Sequence, residues 1–355
     1  MDWFASQLIK WHEIHGRKNL PWQMDITPYR VWLSEIMLQQ TQVSTVIPYF
    51  EKFLNRFPNI EELAQSDVNE VLGLWSGLGY YARARNIHKT ARIIVSEFGS
   101  IFPNNLDLLV QLPGIGRSTA GALLSIAMNI PAPILDGNVK RVLTRFHKIK
   151  GYPEKAEIKN RLWEVAESHT PDTKFQIYTQ AIMDLGATLC SRSAPKCDTC
   201  PISSKCGAFK EDDVGTYPGK KPKKTKPIRS ARFFVIYDCN GGVLIEQREG
   251  RGVWQGLWGA IQRSTETPPK EIFSEFEISP KDIMSLEFGK SFRHTFSHYH
   301  LDIEPIFVSL KQEVRSTNSK SMVWTSLQKL LNKQGLGISK ADQVVFESLI
   351  NSTKQ

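Results

Sequence analysis

Leu112-Pro113-Gly114-Ile115-Gly116, with Leu135-Asp136-Gly137-Asn138-Val139 following, decides the fold of the first half of this chain. The first segment separates two helical stretches. Its two glycines, Gly114 and Gly116, let the backbone approach a ligand without a Cβ clash. The amides that open the next helix then point at that ligand, and unpaired N–H groups together with the helix dipole favour an anion such as phosphate. An ordinary helix–helix turn reads the same way from turn chemistry alone. Asp136, twenty residues beyond Gly116, stands where a helix begins. A plain N-cap accounts for it. The same position keeps a carboxylate ionised beside the helix dipole.

Working outward, residues 1–210 read as almost entirely helical. Phe4, Leu8 and Trp11 lie at helical spacing. Thr27-Pro28 is an N-cap followed by a proline suited to the first helical position. The helix it opens carries Val31, Trp32, Leu33, Ile36, Met37 and Leu38, and is apolar nearly all round, so it should be buried. Further helices are expected at about 45–55, 67–75, 82–98, 105–110, 117–129, 137–147, 155–168 and 174–188, joined by short loops. No repeat-length period is visible.

The composition shifts at 216–230. Pro218 to Pro227 is basic, holds three prolines and has no other apolar side chain, so it reads as an extended linker, either a solvated spacer or a strap that follows phosphates. Beyond it the period becomes two. Arg232–Asp238 and Gly242–Arg248 flank Asn240-Gly241, a hairpin signal. Tyr299–Leu310 is another strand candidate, with helices near 268–276, 325–333 and 340–351. The division is therefore a helical domain at 1–215, a linker at 216–230 and a smaller mixed α and β domain at 231–355.

The chain has 355 residues, 41% of them hydrophobic, and a formal charge of +9, a balance that suits a polyanionic partner. No apolar run approaches the roughly 18 residues of a membrane span, and no targeting signal is visible. A cytoplasmic location is expected, where disulfides are rare. The five cysteines need another account. Cys190, Cys197, Cys200 and Cys206 give Cys-x6-Cys-x2-Cys-x5-Cys. Four soft thiolates so spaced make a metal site, for zinc or for an iron–sulfur cluster, and the tight spacing and Cys200-Pro201 lean toward the cluster. Cys239 stands alone and reads as a small structural residue.

The hairpin and Asp136 resemble the helix-hairpin-helix DNA glycosylase superfamily. The cysteine spacing resembles its endonuclease III branch, which implies a 4Fe–4S cluster in the loop 190–206, with a structural role. Bifunctional members of that branch place a lysine just after the hairpin. Here the matching residue is Ser118, which cannot form a Schiff base, so strand cleavage should be absent or weak. Lys140 lies near Asp136 and is read as a phosphate contact or a source of adventitious lyase activity. Glu35 has Val31, Trp32 and Leu38 at helical spacing, surroundings that should raise its pKa and keep its proton. That suits a general acid for a purine leaving group. A glutamate at the rim or in a salt bridge is the plainer alternative.

Trp32–Gln42, Gly77–Asn86 and Leu135–Arg141 together resemble the adenine DNA glycosylase (MutY) family. That resemblance implies excision of adenine mispaired with 8-oxoguanine or guanine in double-stranded DNA, by base flipping. Glu35 would protonate the base, Asp136 would stabilise the oxocarbenium-like sugar, and Asn138 would orient the two. Gln40, Thr41, Leu78 and Tyr80 match residues that wedge into the duplex or contact the opposite base. Leu20, Trp22 and Gln180 match the adenine pocket. The C-terminal part resembles the Nudix fold but lacks the paired glutamates of the catalytic Nudix helix between Thr265 and Pro280, so nucleotide hydrolysis is not expected. Phe296-Ser297-His298 matches the family loop that meets the oxidised guanine. Sheet-edge aromatics and solvated histidines are the bland reading of that segment. The expected protein is a monomeric, nucleoid-associated, monofunctional glycosylase. An endonuclease III-like pyrimidine glycosylase and AP lyase is the competing reading.

Overall fold

Two units pack separately: Met1–Gln65 with Asn86–Lys223, and Ser66–Arg85 with Lys224–Gln355. The computed structural model describes residues 1–222, 225–312, 321–332 and 335–352. Lys223 and Lys224 of the basic stretch, and Lys333 at the end of the helix expected at 325–333, lie outside them.

The first unit is helical. Thr27 accepts from the Arg30 amide at 3.2 Å and starts the helix Pro28–Leu38. Trp32 and Leu33 in it are fully buried, and Trp32 meets Phe102 edge-on at 5.4 Å. A helix this apolar is stable only when wrapped, each buried large side chain contributing about 1.5–3 kcal/mol. The N-terminal helix Trp3–His15 is capped by Asp2 and packs on the helix Phe175–Thr188. The expected helix 117–129 is shorter: an α-helix at Arg117–Ala122 passes into a π turn at Leu123–Ala127. Gly121 lies in that α-helix, and a Cβ there would stand 2.2 Å from the Pro133 carbonyl oxygen. The helix therefore runs against the chain that leads to Asp136. Toward the end of this unit the Tyr217 ring is buried and its carbonyl accepts from Arg145 Nε at 3.0 Å. Gly219 sits against Gly151, where a Cβ would meet the Gly151 carbonyl oxygen at 2.4 Å. Ordered packing in the first unit thus extends into the Pro218–Pro227 stretch.

The second unit is built on an eight-stranded sheet of β1 (Ile228–Asp238), β2 (Gly242–Gln247), β3 (Trp258–Gly259), β4 (Ile261–Arg263), β5 (Ile283–Phe288), β6 (Phe292–Thr295), β7 (His300–Leu310) and β8 (Met322–Ser326). The order is β3-β2-β1-β7-β5, with β4 on β1, β6 on β7 and β8 on β2. β1 and β7 run parallel along their whole length, from Ile228 opposite His300 to Asp238 opposite Leu310. The expected hairpin forms between β1 and β2, with Gly241 at φ +79. Phe233 to Ile236 are all fully buried, so both faces of β1 are covered. One face packs Phe234 and Ile236 with Ile306, Val308 and Ile272 of the helix Pro269–Glu275. The region expected as a helix at 325–333 begins as strand β8, and Ser326 then caps a short helix, Leu327–Leu331. The tie to β2 keeps that segment extended up to its cap.

Residues 66–85 belong to this unit by contact. Ser76 Oγ and Tyr81 OH both donate to the Ile338 carbonyl, at 3.2 and 2.9 Å, and Gln247 Nε2 donates to Asn69 Oδ1 at 2.7 Å. A buried ion pair fastens the helix Lys340–Ser352 to the sheet. Asp342, with no exposure, takes Arg248 Nη1 and Nη2 at 2.9 and 2.7 Å and the Ala260 amide at 3.0 Å, and Ser339 Oγ donates to it as well. Removing one partner of such a pair strands the other charge. Asp342→Ala is expected to destabilise the second unit by about 3–5 kcal/mol, read as an earlier transition in urea unfolding followed by Trp fluorescence. An unshifted profile would refute this.

Candidate active site

A cleft of about 1090 Å³ opens in the first unit. Leu20, Trp22, Glu35, Gln40, Thr41, Ser118, Asp136, Asn138 and Gln180 all line it. These residues come from five separate stretches of sequence, and the helical packing brings them to one wall. Two carboxyls stand there in different settings. Glu35 projects from the apolar helix Pro28–Leu38 and makes no hydrogen bond among the described residues. Burial, and then the neighbouring Asp136 charge, push its carboxyl up to about 8.

Asp136 is held instead. It caps the helix Gly137–Phe146, with Oδ1 accepting from the Val139 amide at 2.8 Å and Oδ2 accepting from Asn138 Nδ2 at 3.2 Å. Burial raises this carboxyl too, against the opposing pull of the Val139 and Asn138 amides and of Arg141. The N-cap alone therefore does not set its charge, and the hydrogen bonds offset a desolvation that the sequence did not reveal. Asn138 is fixed at its other end, since its Oδ1 accepts from Arg141 Nη2 at 2.8 Å. Arg141 reaches on to the carbonyls of Gly186 at 2.6 Å and Cys190 at 2.7 Å. Gly186 allows the two helices this close: a Cβ on it would lie 2.6 Å from that of Asn138.

Arg17, Arg141 and Asp184 also line the cleft and were given no role in the sequence reading. Asp184 accepts from the Arg17 amide at 2.8 Å and from Arg17 Nε at 2.8 Å, with His12 Nε2 at 3.3 Å. It fixes the chain just ahead of Leu20 and Trp22. Asp184 is an acid in the otherwise apolar run Ala181–Leu185, a signal that marks a buried partner without naming it.

The other candidates fall elsewhere. Gly114 adopts φ +82 at the hairpin, and a Cβ there would stand 2.9 Å from Asn86 Cβ. Gly116 opens the helix Arg117–Ala122 and faces open space. Ser118 Oγ accepts from the Leu135 amide at 2.9 Å, tying that helix to the approach to Asp136. Lys140 Nζ is paired with Glu154, an engagement that the expectation of a phosphate contact did not include. Cys190, Cys197, Cys200 and Cys206 line one separate cavity with Val142, Leu189, Ile202 and Phe209. Burial pushes the Cys200 thiol up to about 12 and raises those of Cys197 and Cys206. Arg145 Nη1 donates to Cys190 Sγ at 3.3 Å, and to the Ser191 carbonyl at 2.7 Å.

Two exposed tips belong to the second unit. Tyr80 is 49% exposed at φ +52, while Leu78, expected beside it as a duplex contact, is only 6% exposed. The carbonyls of Leu78 and Gly79 accept from Arg83 Nη2 at 3.3 and 3.1 Å, and the Arg83 guanidinium lies over the Tyr80 ring at 5.5 Å. At the second tip Ser297 and His298 are exposed, but Phe296 is turned inward at 9% exposure. Its ring packs against Tyr299 at 4.4 Å, His294 at 4.7 Å and Trp254 at 5.0 Å. The three residues of this motif thus divide into one anchor and two outward side chains.

Residues 33–168 match the family described as HhH-GPD superfamily base excision DNA repair protein, and residues 232–348 match the NUDIX domain. The adenine DNA glycosylase of Buchnera aphidicola subsp. Schizaphis graminum is 42% identical, over 97% of this chain and 98% of that protein. The mouse adenine DNA glycosylase is 30% identical, over 97% and 77% respectively. Among solved structures, a thermostable thymine-DNA glycosylase is 27% identical with a TM-score of 0.54, covering 59% of this chain and 95% of its own. A non-covalent endonuclease III–DNA complex shares the fold at 20% identity and a TM-score of 0.50, over 59% and 95%. The similarity to the Buchnera protein runs through both units, cleft and sheet alike, and this chain belongs to the adenine DNA glycosylase family of base excision repair enzymes.

Proposed function

We propose that this glycosylase excises adenine paired with 8-oxoguanine or guanine, with Glu35 and Asp136 dividing the chemistry. The observation that carries the proposal is the asymmetry of two carboxyls in one cleft, one without a partner and pushed up to about 8, the other capped and bridged by Asn138. Glu35 holds a proton at neutral pH and delivers it to a ring nitrogen of the flipped adenine, which makes the base a better leaving group. Asp136 faces the sugar as positive charge develops there, and Asn138 orients it. Water completes hydrolysis. Leu20, Trp22 and Gln180 receive the base. Gln40 and Thr41, at the cleft, fill or flank the gap that flipping leaves, where replacing lost stacking is worth a few kcal/mol, and Tyr80 is a further contact to the duplex. Gln40 holds a left-handed φ of +57, a conformation kept where a side chain must be aimed.

Gly114 and Gly116 present the amides of the hairpin to a backbone phosphate. Ser297 and His298 read the opposite base, and Phe296 seats them. Lys140, paired as it is, is left as an auxiliary phosphate contact. The serine at position 118 makes the enzyme monofunctional. It acts as a monomer on double-stranded DNA in the cytoplasm, at the nucleoid. No described helix is long and apolar enough to cross a membrane.

The four cysteines fit a 4Fe–4S cluster. The four cysteines line one apolar cavity, and four soft thiol donors are the donor set of such a cluster. Cys190, Cys197, Cys200 and Cys206 would hold it, and it would supply a rigid cross-link for the 190–206 loop. Arg145 would donate to the Cys190 sulfur beside it.

Duplex with one adenine opposite 8-oxoguanine should release adenine and be cut only after alkali. Glu35→Gln should slow single-turnover excision by about 10²–10⁴-fold. Excision that persists in Glu35→Gln would sink the acid role. Because Glu35 must be protonated and Asp136 ionised to act, the wild-type rate should fall above about pH 8 as Glu35 loses its proton and fall again in acid as Asp136 gains one. An alkaline limb that survives in Glu35→Gln at its original position would assign that limb to another group. The purified chain should contain iron and acid-labile sulfide in equal amounts, and Cys200→Ser should lose both. Zinc in their place would overturn the cluster assignment.

A further inference from the structure

We infer that Lys226 is a positioning residue for opposite-base discrimination: its ammonium fixes the backbone of the turn that carries Ser297 and His298. The inference rests on the reading, proposed above, of that turn as the opposite-base contact. β6 and β7 are joined through 296–299, with Thr295 opposite His300. Phe296 N–H donates to the Tyr299 carbonyl at 2.9 Å and closes the turn. The Phe296 carbonyl accepts from Lys226 Nζ at 2.7 Å. A lysine 70 residues away in sequence therefore holds the residue immediately before the tip.

Neighbours of Lys226 fix the other stem. The Pro227 carbonyl accepts from the His300 amide at 2.9 Å, just before the parallel ladder of β1 and β7 begins. The Arg229 guanidinium lies over the Tyr299 ring at 4.7 Å, and that ring is stacked on Phe296. Successive residues at the end of the basic stretch thus brace both sides of a two-residue tip. The lesion differs from guanine by one added oxygen and one moved proton. Discriminating them by hydrogen bonds requires the donor and acceptor atoms to be held within a few tenths of an ångström. Exposed turns do not hold such a position unaided. Lys226 is half-buried and its ammonium is directed at a carbonyl, which is how a brace is built. A phosphate contact would instead present its ammonium to solvent.

The test is single-turnover adenine excision by the full-length enzyme on duplexes with adenine opposite 8-oxoguanine and opposite guanine, with the salt dependence of binding to each. Lys226→Met keeps the aliphatic stem and removes the donor. It should lower the ratio of the two rates by about three- to tenfold, and Lys226→Arg, which still donates, should restore most of it. An unchanged ratio in Lys226→Met overturns the inference. So does an equal loss on both duplexes with a salt slope shallower by about one, the signature of a phosphate contact. Ser297→Ala separates the two levels of reading. If it lowers the ratio while Lys226→Met does not, the brace alone is wrong. If neither Ser297→Ala nor His298→Ala moves the ratio, the turn does not read the opposite base.

Discussion

The helix Gly137–Phe146 begins on the Asp136 carboxylate, and much of the first unit is organised to keep that beginning in place. The cap satisfies amides that would otherwise be stranded at the wall of a cleft. Ser118 holds the chain one residue upstream through the Leu135 amide. Gly186 lets the neighbouring helix approach until it touches Asn138. The same helix carries Arg141 and Arg145, one turn apart, and both reach into the loop that bears the cysteines. A single element therefore starts on the Asp136 carboxyl and grips the thiol-bearing loop along its length. Disorder in that loop would release Arg141 from the Cys190 carbonyl and loosen its hold on Asn138.

The two carboxyls illustrate how one cleft can surround two acids with different partners. Both lose hydration, and that loss alone would protonate both. What separates them is the supply of donors. Asp136 has two amides, an asparagine and an arginine within its field, whereas Glu35 has apolar neighbours and a negative one. The difference comes from position, at a helix start against a helix flank, more than from residue type.

Much of this was legible in the amino-acid sequence, for identifiable reasons. The helix Pro28–Leu38 announces itself by Thr27-Pro28 and an unbroken apolar run, and the hairpin at 112–116 by its glycines. Asp136 as a cap follows from local chemistry, which a short window contains. Arg17 with Asp184 could not be read, because 167 residues separate partners that only tertiary packing joins. Segment 66–85 has ordinary helical spacing, and nothing in it reveals that its contacts are with the second unit. Strands β5, β6 and β8 are short and half-exposed, and their identity depends on the neighbour they pair with. Phe296 and Leu78 were expected at the DNA because they match family residues that contact it, and nothing local in the sequence says which way either side chain turns. Their burial is decided by Trp254 and Tyr299 in one case and by the Trp75–Arg83 loop in the other.

The inward turn of Phe296 has an evolutionary consequence. The tip of the β6–β7 turn holds two solvent-facing side chains on a peg anchored in an aromatic cluster. Substitution at position 297 leaves that cluster untouched, whereas His298 still meets the Tyr299 ring edge-on at 4.8 Å, so the tip can change at its outermost residue with little cost to folding. The anchor cannot drift in the same way, since Trp254, Tyr299 and His294 would all have to readjust. A lineage could therefore vary the outermost side chain of the turn, Ser297, while inheriting the scaffold intact.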